Sequence, residues 1–254
     1  MGIERYCPAC GQRWAPGGYC PNRWCSRIGR AWSVTFAVDV HHGALRQAIF
    51  RYKYRGEKSL APILAGLLVN HLETRTAWFE EFGLITAVPG FTGPGAHRDW
   101  DPVGTLLIEL GRRLGPAWSV VPGLVTKTAE TPGMAGRSWT ERQAIAQGPL
   151  RRSLVAAPDL DLTGASVLLL DDVLTEGSTL IEVAAVLRRA GASDVAGLVL
   201  TRQPWTPDPP GRPGPPAVPG SAARSARPSR PGPTPGGSAS GSRPGPIPPR
   251  RTPM

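Results

Sequence analysis

The sequence contains no long hydrophobic run. Its longest apolar stretch, Leu60 to Val69, has ten residues and is already interrupted by Pro62 and Gly66. Crossing a bilayer takes roughly 20 apolar residues, so no membrane span is expected. Met1-Gly2-Ile3-Glu4-Arg5 is not followed by an apolar segment and lacks the form of a secretion signal, so the expected compartment is the cytoplasm. Cysteine does not occur after residue 25, and histidine occurs only four times. Acids are outnumbered, 19 against 29 Lys+Arg, for a net charge of +10. The shortage is most local at the end of the chain. From Gln203 to Met254 there is one acid, Asp208, and almost no aliphatic residue beyond Val218 and Ile247.

That final segment holds 17 of the 29 prolines and seven arginines: Arg212, Arg224, Arg227, Arg230, Arg243, Arg250 and Arg251. Seven arginines against one acid give it +6 of the total charge. It cannot bury enough apolar surface to offset the entropy of ordering, so a disordered Pro/Gly/Ser/Arg-rich tail is expected over 203–254. Such a tail suits salt-sensitive contact with nucleic acid, or is solvated with no specific partner.

The four cysteines stand at Cys7, Cys10, Cys20 and Cys25, spaced C-x2-C-x9-C-x4-C. Two close pairs can aim four thiolates at one tetrahedral centre, and zinc suits four sulfurs. A knuckle over 1–31 would depend on the metal for its structure, and with no open coordination position the metal would be structural. The rival readings are disulfides, which fit a reducing compartment poorly, and a redox C-x-x-C, which needs no second pair. Trp14, Trp24 and Trp32 around the knuckle suit packing of a small core, although single-strand binding uses the same residue type.

From Trp32 to residue 202 helix-like and strand-like segments alternate. Helical periodicity covers Gly43–Lys53, Leu60–Leu72, Val103–Leu114 and Ser178–Ala190. Strand candidates are Leu84–Val88, Ser119–Val125, Ser166–Leu170 and Val195–Thr201. Continuous apolar strands separated by helices indicate an α/β domain with a parallel sheet covered on both faces. His41 and His42 adjoin a glycine turn with no cysteine or acid at ligand spacing, and read as structural.

The most informative stretch runs from Val167 to Leu180. A buried strand ends in Asp171 and Asp172, and a short loop, Thr175-Glu176-Gly177-Ser178-Thr179, opens into a helix. Ligands of open α/β sheets sit beyond the carboxyl ends of the strands. A helix N-terminus there suits a phosphate. Gly177 lets the backbone approach, and Thr175, Ser178 and Thr179 add hydroxyl donors. The two acids suit neutral hydroxyls, as on a ribose, or a magnesium ion bridging to phosphates.

At these residues the chain resembles the phosphoribosyltransferases, whose signature is an apolar strand, two acids and a T-x-G-x-T loop. The resemblance implies a type I phosphoribosyltransferase-like domain over 32–202. There Asp171 and Asp172 would hold ribose hydroxyls, with magnesium, and residues 175–179 the 5′-phosphate of phosphoribosyl pyrophosphate. Glu176 departs from the pattern, because that position is usually small or hydroxylic. A carboxylate beside the phosphate repels it unless the side chain points outward. With the cysteine knuckle, the chain is similar to the ComF family of competence-associated proteins. His42-Gly43-Ala44-Leu45-Arg46, Tyr52-Lys53-Tyr54-Arg55-Gly56, Ala87-Val88-Pro89, Thr126-Lys127-Thr128 and Thr140-Glu141-Arg142 correspond to that family's landmarks. Arg98-Asp99-Trp100-Asp101 replaces its Arg-Gly-Phe-Asn.

The resemblance implies Lys53, Arg98 and Lys127 as the pyrophosphate-side cations and phosphoribosyl pyrophosphate or ribose 5-phosphate as ligand. It implies either transfer to an acceptor, with no catalytic side chain identified, or a non-catalytic module binding single-stranded DNA or nucleotides in DNA uptake or repair, with DNA-processing proteins as partners. Each cation has a plainer reading: Lys53 and Arg55 as solvated charges at a helix end, Arg98 as a neutraliser of Asp99 or Asp101.

Overall fold

The computed structural model describes residues 6–15, 17–22, 25, 31–134 and 136–204. Trp24 and nearly all of the Pro/Arg-rich tail lie outside the described residues.

The chain enters a sheet with β1 (Thr35–Val40), then forms α1 (Gly43–Arg55) and α2 (Ala61–Glu73). Strand β2 (Leu84–Ala87) leads through a Pro-Gly loop to α3 (Pro102–Gly111). The stretch expected as one strand over Ser119–Val125 is two pieces, β3 (Ser119–Val120) and β4 (Val125–Lys127). Pro122 and Gly123 separate them, since proline has no N–H for a ladder and Gly123 turns the chain at positive φ. After α4 (Trp139–Ile145), a wide turn over Ala146–Leu150 accommodates Pro149 and passes into the single turn α5 (Arg151–Ser153). Strands β5 (Leu154–Ala156), β6 (Ser166–Leu174) and β7 (Asp194–Arg202) follow, with α6 (Ser178–Arg189) between the last two.

Among the described residues five strands form one sheet in the order β1-β7-β6-β2-β3, every neighbouring pair parallel. Strands β4 and β5 pair antiparallel as a separate ribbon. The continuous apolar runs of β6 and β7 reflect burial on both faces. Leu168, Leu170, Ala196, Leu198 and Leu200 pack with the apolar sides of α1, α2 and α3. Val167, Leu169 and Val195 pack with Val183, Ala184 and Leu187 of α6 and with Leu150 and Leu154. A third, smaller cluster joins Leu174 and Val199 to Cys7, Ala9 and Cys10.

The sheet therefore carries the cysteine segment directly. Gln12 donates from Nε2 to the Gln203 carbonyl and accepts from Nη1 of Arg202 at 3.1 Å, fastening the segment to the end of β7.

One boundary differs from the sequence reading in a way that matters. The strand that was expected to end at Leu170 continues through both acids to Leu174. Pairing with β2 stops at Ala87–Leu170, whereas pairing with β7 runs on through Asp171–Val199 to Leu174–Arg202. The two acids thus stand where β6 has outrun one neighbour and is still held by the other.

Candidate functional site

Asp172 is 2% exposed, and Asp171 is half-buried. Each carboxylate accepts the backbone N–H of the next residue, Asp171 from Asp172 at 2.8 Å and Asp172 from Val173 at 2.8 Å. Two acids in such surroundings cannot both ionise freely. Burial first, and then the charge of Asp172, push Asp171 up to about 7. Burial also opposes ionisation of Asp172, but the Lys53 ammonium outweighs it and holds that carboxyl below the usual range. Lys53 Nζ lies 2.8 Å from Oδ1 and 2.6 Å from Oδ2 of Asp172. It is not a solvated charge at a helix end. The last turn of α1 delivers it to the acids, where their attraction outweighs its own desolvation and holds its proton more tightly than usual.

The loop after β6 ends at Gly177, whose φ of +89° makes it the αL residue that opens α6. No side chain caps the helix, so neither Thr175 nor Ser178 plays that part. The first helical bond runs from the Ile181 amide to the Gly177 carbonyl at 2.9 Å. The amides of Ser178, Thr179 and Leu180 precede the ladder, as the first donors of a helix do. Thr175 and Thr179 are half-buried and Ser178 is buried.

Glu176 is held by a partner far off in sequence. Its Oε1 accepts from Nη2 of Arg142 at 2.5 Å, with each side chain 21% exposed. Arg142 is aimed there by α4, which starts with a capping box: Ser138 Oγ accepts from the Glu141 amide and Glu141 accepts from the Ser138 amide. The carboxylate thus comes with a neutralising guanidinium. Sequence reasoning placed the Glu141-Arg142 pair as a landmark and missed its partner, because nothing local links positions 34 residues apart.

The other proposed cations fall in two places. Lys127, on β4, lines a cavity of about 400 Å³ with Pro89, Gly90, Phe91, Thr92 and Gly93, beyond the carboxyl end of β2. Burial pulls the Lys127 ammonium below its usual pKa despite Glu130, 3.8 Å away. Arg98 lies instead with its guanidinium 5.1 Å from the ring centre of Tyr54. In the same stretch Trp100 packs edge-on against Tyr52, and Asp101 caps α3 by accepting from the Val103 amide at 3.0 Å. Asp101 also accepts from the Gly90 amide at 3.1 Å, and a side chain at residue 90 would collide with it. This acid therefore ties the Pro89–Gly93 loop to α3. The acids and the 175–179 loop do not belong to the lining of this cavity. Of the two histidines, His41 pairs through Nδ1 with Thr201 Oγ1 at 2.8 Å.

The four cysteine sulfurs lie within 4.8 Å of one another, and Cys10 and Cys20 Sγ are 3.6 Å apart. A tetrahedron with 2.3 Å zinc–sulfur bonds needs edges of about 3.8 Å. Hydrogen bonding by Cys25 pulls Cys10 down to about 6. Burial above all pushes Cys20 up to about 12. Crowded thiols that oppose one another's ionisation are what a divalent cation relieves. The donor set fits a metal ion.

The fold and these two centres describe a mixed α/β protein with a parallel five-stranded sheet, two acids and a glycine loop at its carboxyl end, and a four-cysteine cluster against it. No family model matches the chain. The chain is 26% identical over 201 residues to the DNA utilization protein YhgH of Salmonella typhi, covering 77% of this chain and 83% of the relative. The protein of the same name from Salmonella typhimurium is 25% identical over 201 residues, with equal coverage. A short segment of 39 residues is 46% identical to a ribose-phosphate pyrophosphokinase of Thermoplasma acidophilum, 15% of this chain and 14% of that enzyme. Among the described residues no helix is long and apolar enough to cross a membrane.

Proposed function

We propose that the chain is a ComF-like phosphoribosyltransferase-family protein that binds a ribose 5-phosphate ligand, phosphoribosyl pyrophosphate or ribose 5-phosphate, beyond the carboxyl end of β6. The observation that carries this reading is the junction of β6 and α6. Half-buried Asp171 and buried Asp172 stand past the end of β2, and five residues after Asp172 an uncapped helix N-terminus opens at a glycine. Asp171 and Asp172 take the ribose hydroxyls. The amides of residues 178–180, with Thr175, Ser178 and Thr179, take the 5′-phosphate. Glu176 contributes its backbone, its carboxylate being engaged by Arg142.

For transfer, the bond from ribose C1 to the diphosphate oxygen breaks as an acceptor nucleophile bonds C1, and the acceptor's proton passes to solvent. Lys127, partly desolvated in the Pro89–Gly93 cavity, neutralises the departing diphosphate. Magnesium, when bound, supplies further charge neutralisation at the phosphates. Zinc, held by Cys7, Cys10, Cys20 and Cys25, would serve as a structural ion.

A second reading, a non-catalytic single-strand DNA or nucleotide module, is favoured by two observations. Similarity to a DNA utilization protein extends over 201 residues, and Lys53 already closes Asp172. Calorimetric titration with phosphoribosyl pyrophosphate and ribose 5-phosphate, with and without magnesium, tests the ligand. Diphosphate release in the presence of candidate acceptors separates enzyme from module. Absence of binding by both sugars at millimolar concentration overturns the ligand reading.

A further inference from the structure

The phosphate loop does not rest on the sheet alone. Its Glu176 carbonyl accepts a hydrogen bond at 3.0 Å from Nδ2 of Asn22, a residue lying between Cys20 and Cys25 and only 4% exposed. The Cys25 amide donates to the Asn22 carbonyl at 3.0 Å, and the Asn22 side chain helps to hold the Cys10 thiol below its usual range. One residue therefore joins the cysteine cluster to the loop backbone.

A second connection runs beside it. The Trp32 indole, 1% exposed, lies against Gly177, where a β-carbon would sit 3.1 Å from its ring. Trp32 Nε1 donates to the carbonyl of Ala9 at 2.9 Å, and Ala9 stands between Cys7 and Cys10. Thr35 Oγ1 donates to the same carbonyl at 2.7 Å. Leu174, the last residue before the loop, is buried among Cys7, Ala9 and Cys10. Three successive parts of the loop, its entry at Leu174, its middle at Glu176 and its αL residue Gly177, thus touch the cysteine segment or a residue bonded to it.

A segment this short and polar keeps its shape through its metal, so what the metal orders includes every residue the segment holds in place. We propose that Asn22 is a positioning residue for the phosphate loop, and that metal binding at the four cysteines sets the order of residues 174–178 through Asn22 and Trp32. Loss of the metal, by chelation or by oxidation of the thiols, would then release the loop and weaken sugar-phosphate binding without any change in the ligand-contacting residues. The consequence for affinity rests on the proposed function, whereas the coupling itself does not.

The experiment compares wild type, Asn22→Ala and chelator-stripped full-length protein by amide hydrogen exchange, with zinc content measured in parallel. Expected are at least tenfold faster exchange over residues 175–181 in both altered forms, and unchanged protection of the β6 core at 167–170. Ribose 5-phosphate affinity should fall about tenfold, as for one lost hydrogen bond in a preorganised site. If Asn22→Ala sheds its zinc, Trp32→Phe, which leaves Asn22 and all four cysteines in place, carries the same test. Unchanged loop exchange in the variant or after metal removal overturns the proposal, as does loss of protection spreading through β6. A loop that loosens as expected in a wild-type protein that binds no sugar phosphate supports the coupling and refutes the ligand reading instead.

Discussion

Asp171 and Asp172 are adjacent and chemically identical, and their surroundings drive them apart. Asp172 has Lys53, while Asp171 has burial and a charged neighbour. Asp171 titrates at about 7 in the folded protein against 3.8 ordinarily. The native state therefore keeps this proton after the unfolded chain has lost it. The stability it confers is complete below about pH 4 and is lost as pH rises through 7. Asp171→Asn mimics the protonated acid. In thermal melts without ligand its Tm should match wild type near pH 4 and exceed it increasingly up to about pH 7, where the margin levels off. A constant difference across that range would show that Asp171 carries no such proton.

The ion pair of Glu176 with Arg142 leads to a second expectation at the same scale. Removing the acid leaves a guanidinium beside the 175–179 loop, and removing the arginine leaves a carboxylate there. Glu176→Thr should tighten ribose 5-phosphate binding by about 0.5–1 kcal/mol, and Arg142→Ala should weaken it by a similar amount, the usual size for partly exposed charges. Calorimetry on the two variants checks this, and the opposed signs distinguish a charge effect from general loosening. In the sequence Glu176 was visible as a departure, but whether it faced phosphate, solvent or a cation was not. That depended on the folded chain bringing α4 beside the 175–179 loop.

At the scale of elements, the start of α6 depends on one backbone conformation. Gly177 adopts φ +89°, which strains any other residue by about 1–3 kcal/mol. Its open side is also filled by Trp32. Gly177→Val should abolish sugar-phosphate binding, while zinc content stays at the wild-type level and circular dichroism stays helical. The strand–loop–helix order was legible from the apolar run, the two acids and the glycine. The extent of β6 was not, because the continuous apolar run stops at Leu170 while the hydrogen bonds do not. Strand β7 supplies partners up to Leu174, and a neighbour's length cannot be read from the strand itself. The expected strand over 119–125 broke for the opposite reason. Pro122-Gly123 is a local stop signal inside an apolar pattern, and the backbone obeys the stop.

For the whole molecule, the cysteine cluster is the element most exposed to chemical test. Purified protein prepared without chelator should carry about one zinc per chain by elemental analysis, and Cys20→Ser should lose it. The tail expected over 203–254 is a proposal from composition. Deleting residues 205–254 should leave Tm within about 2 °C of the full chain, since the segment has little apolar surface to contribute. If the protein binds single-stranded DNA, the same deletion should flatten the salt dependence of binding, because seven arginines are removed with it.

Sequence alone determined the alternation of helix and buried strand, the two acids before a glycine loop, and the spacing of four cysteines. Each is written in neighbouring residues, where periodicity, φ preference and ligand spacing act over short stretches of chain. Only the tertiary structure decided that Lys53 closes on Asp172, that Arg142 meets Glu176, and that the Asn22 amide reaches the Glu176 carbonyl in the 175–179 loop. These pairs are separated by 119, 34 and 154 residues. A charge or an amide carries no record in sequence of which distant partner the folded backbone will bring within 3 Å.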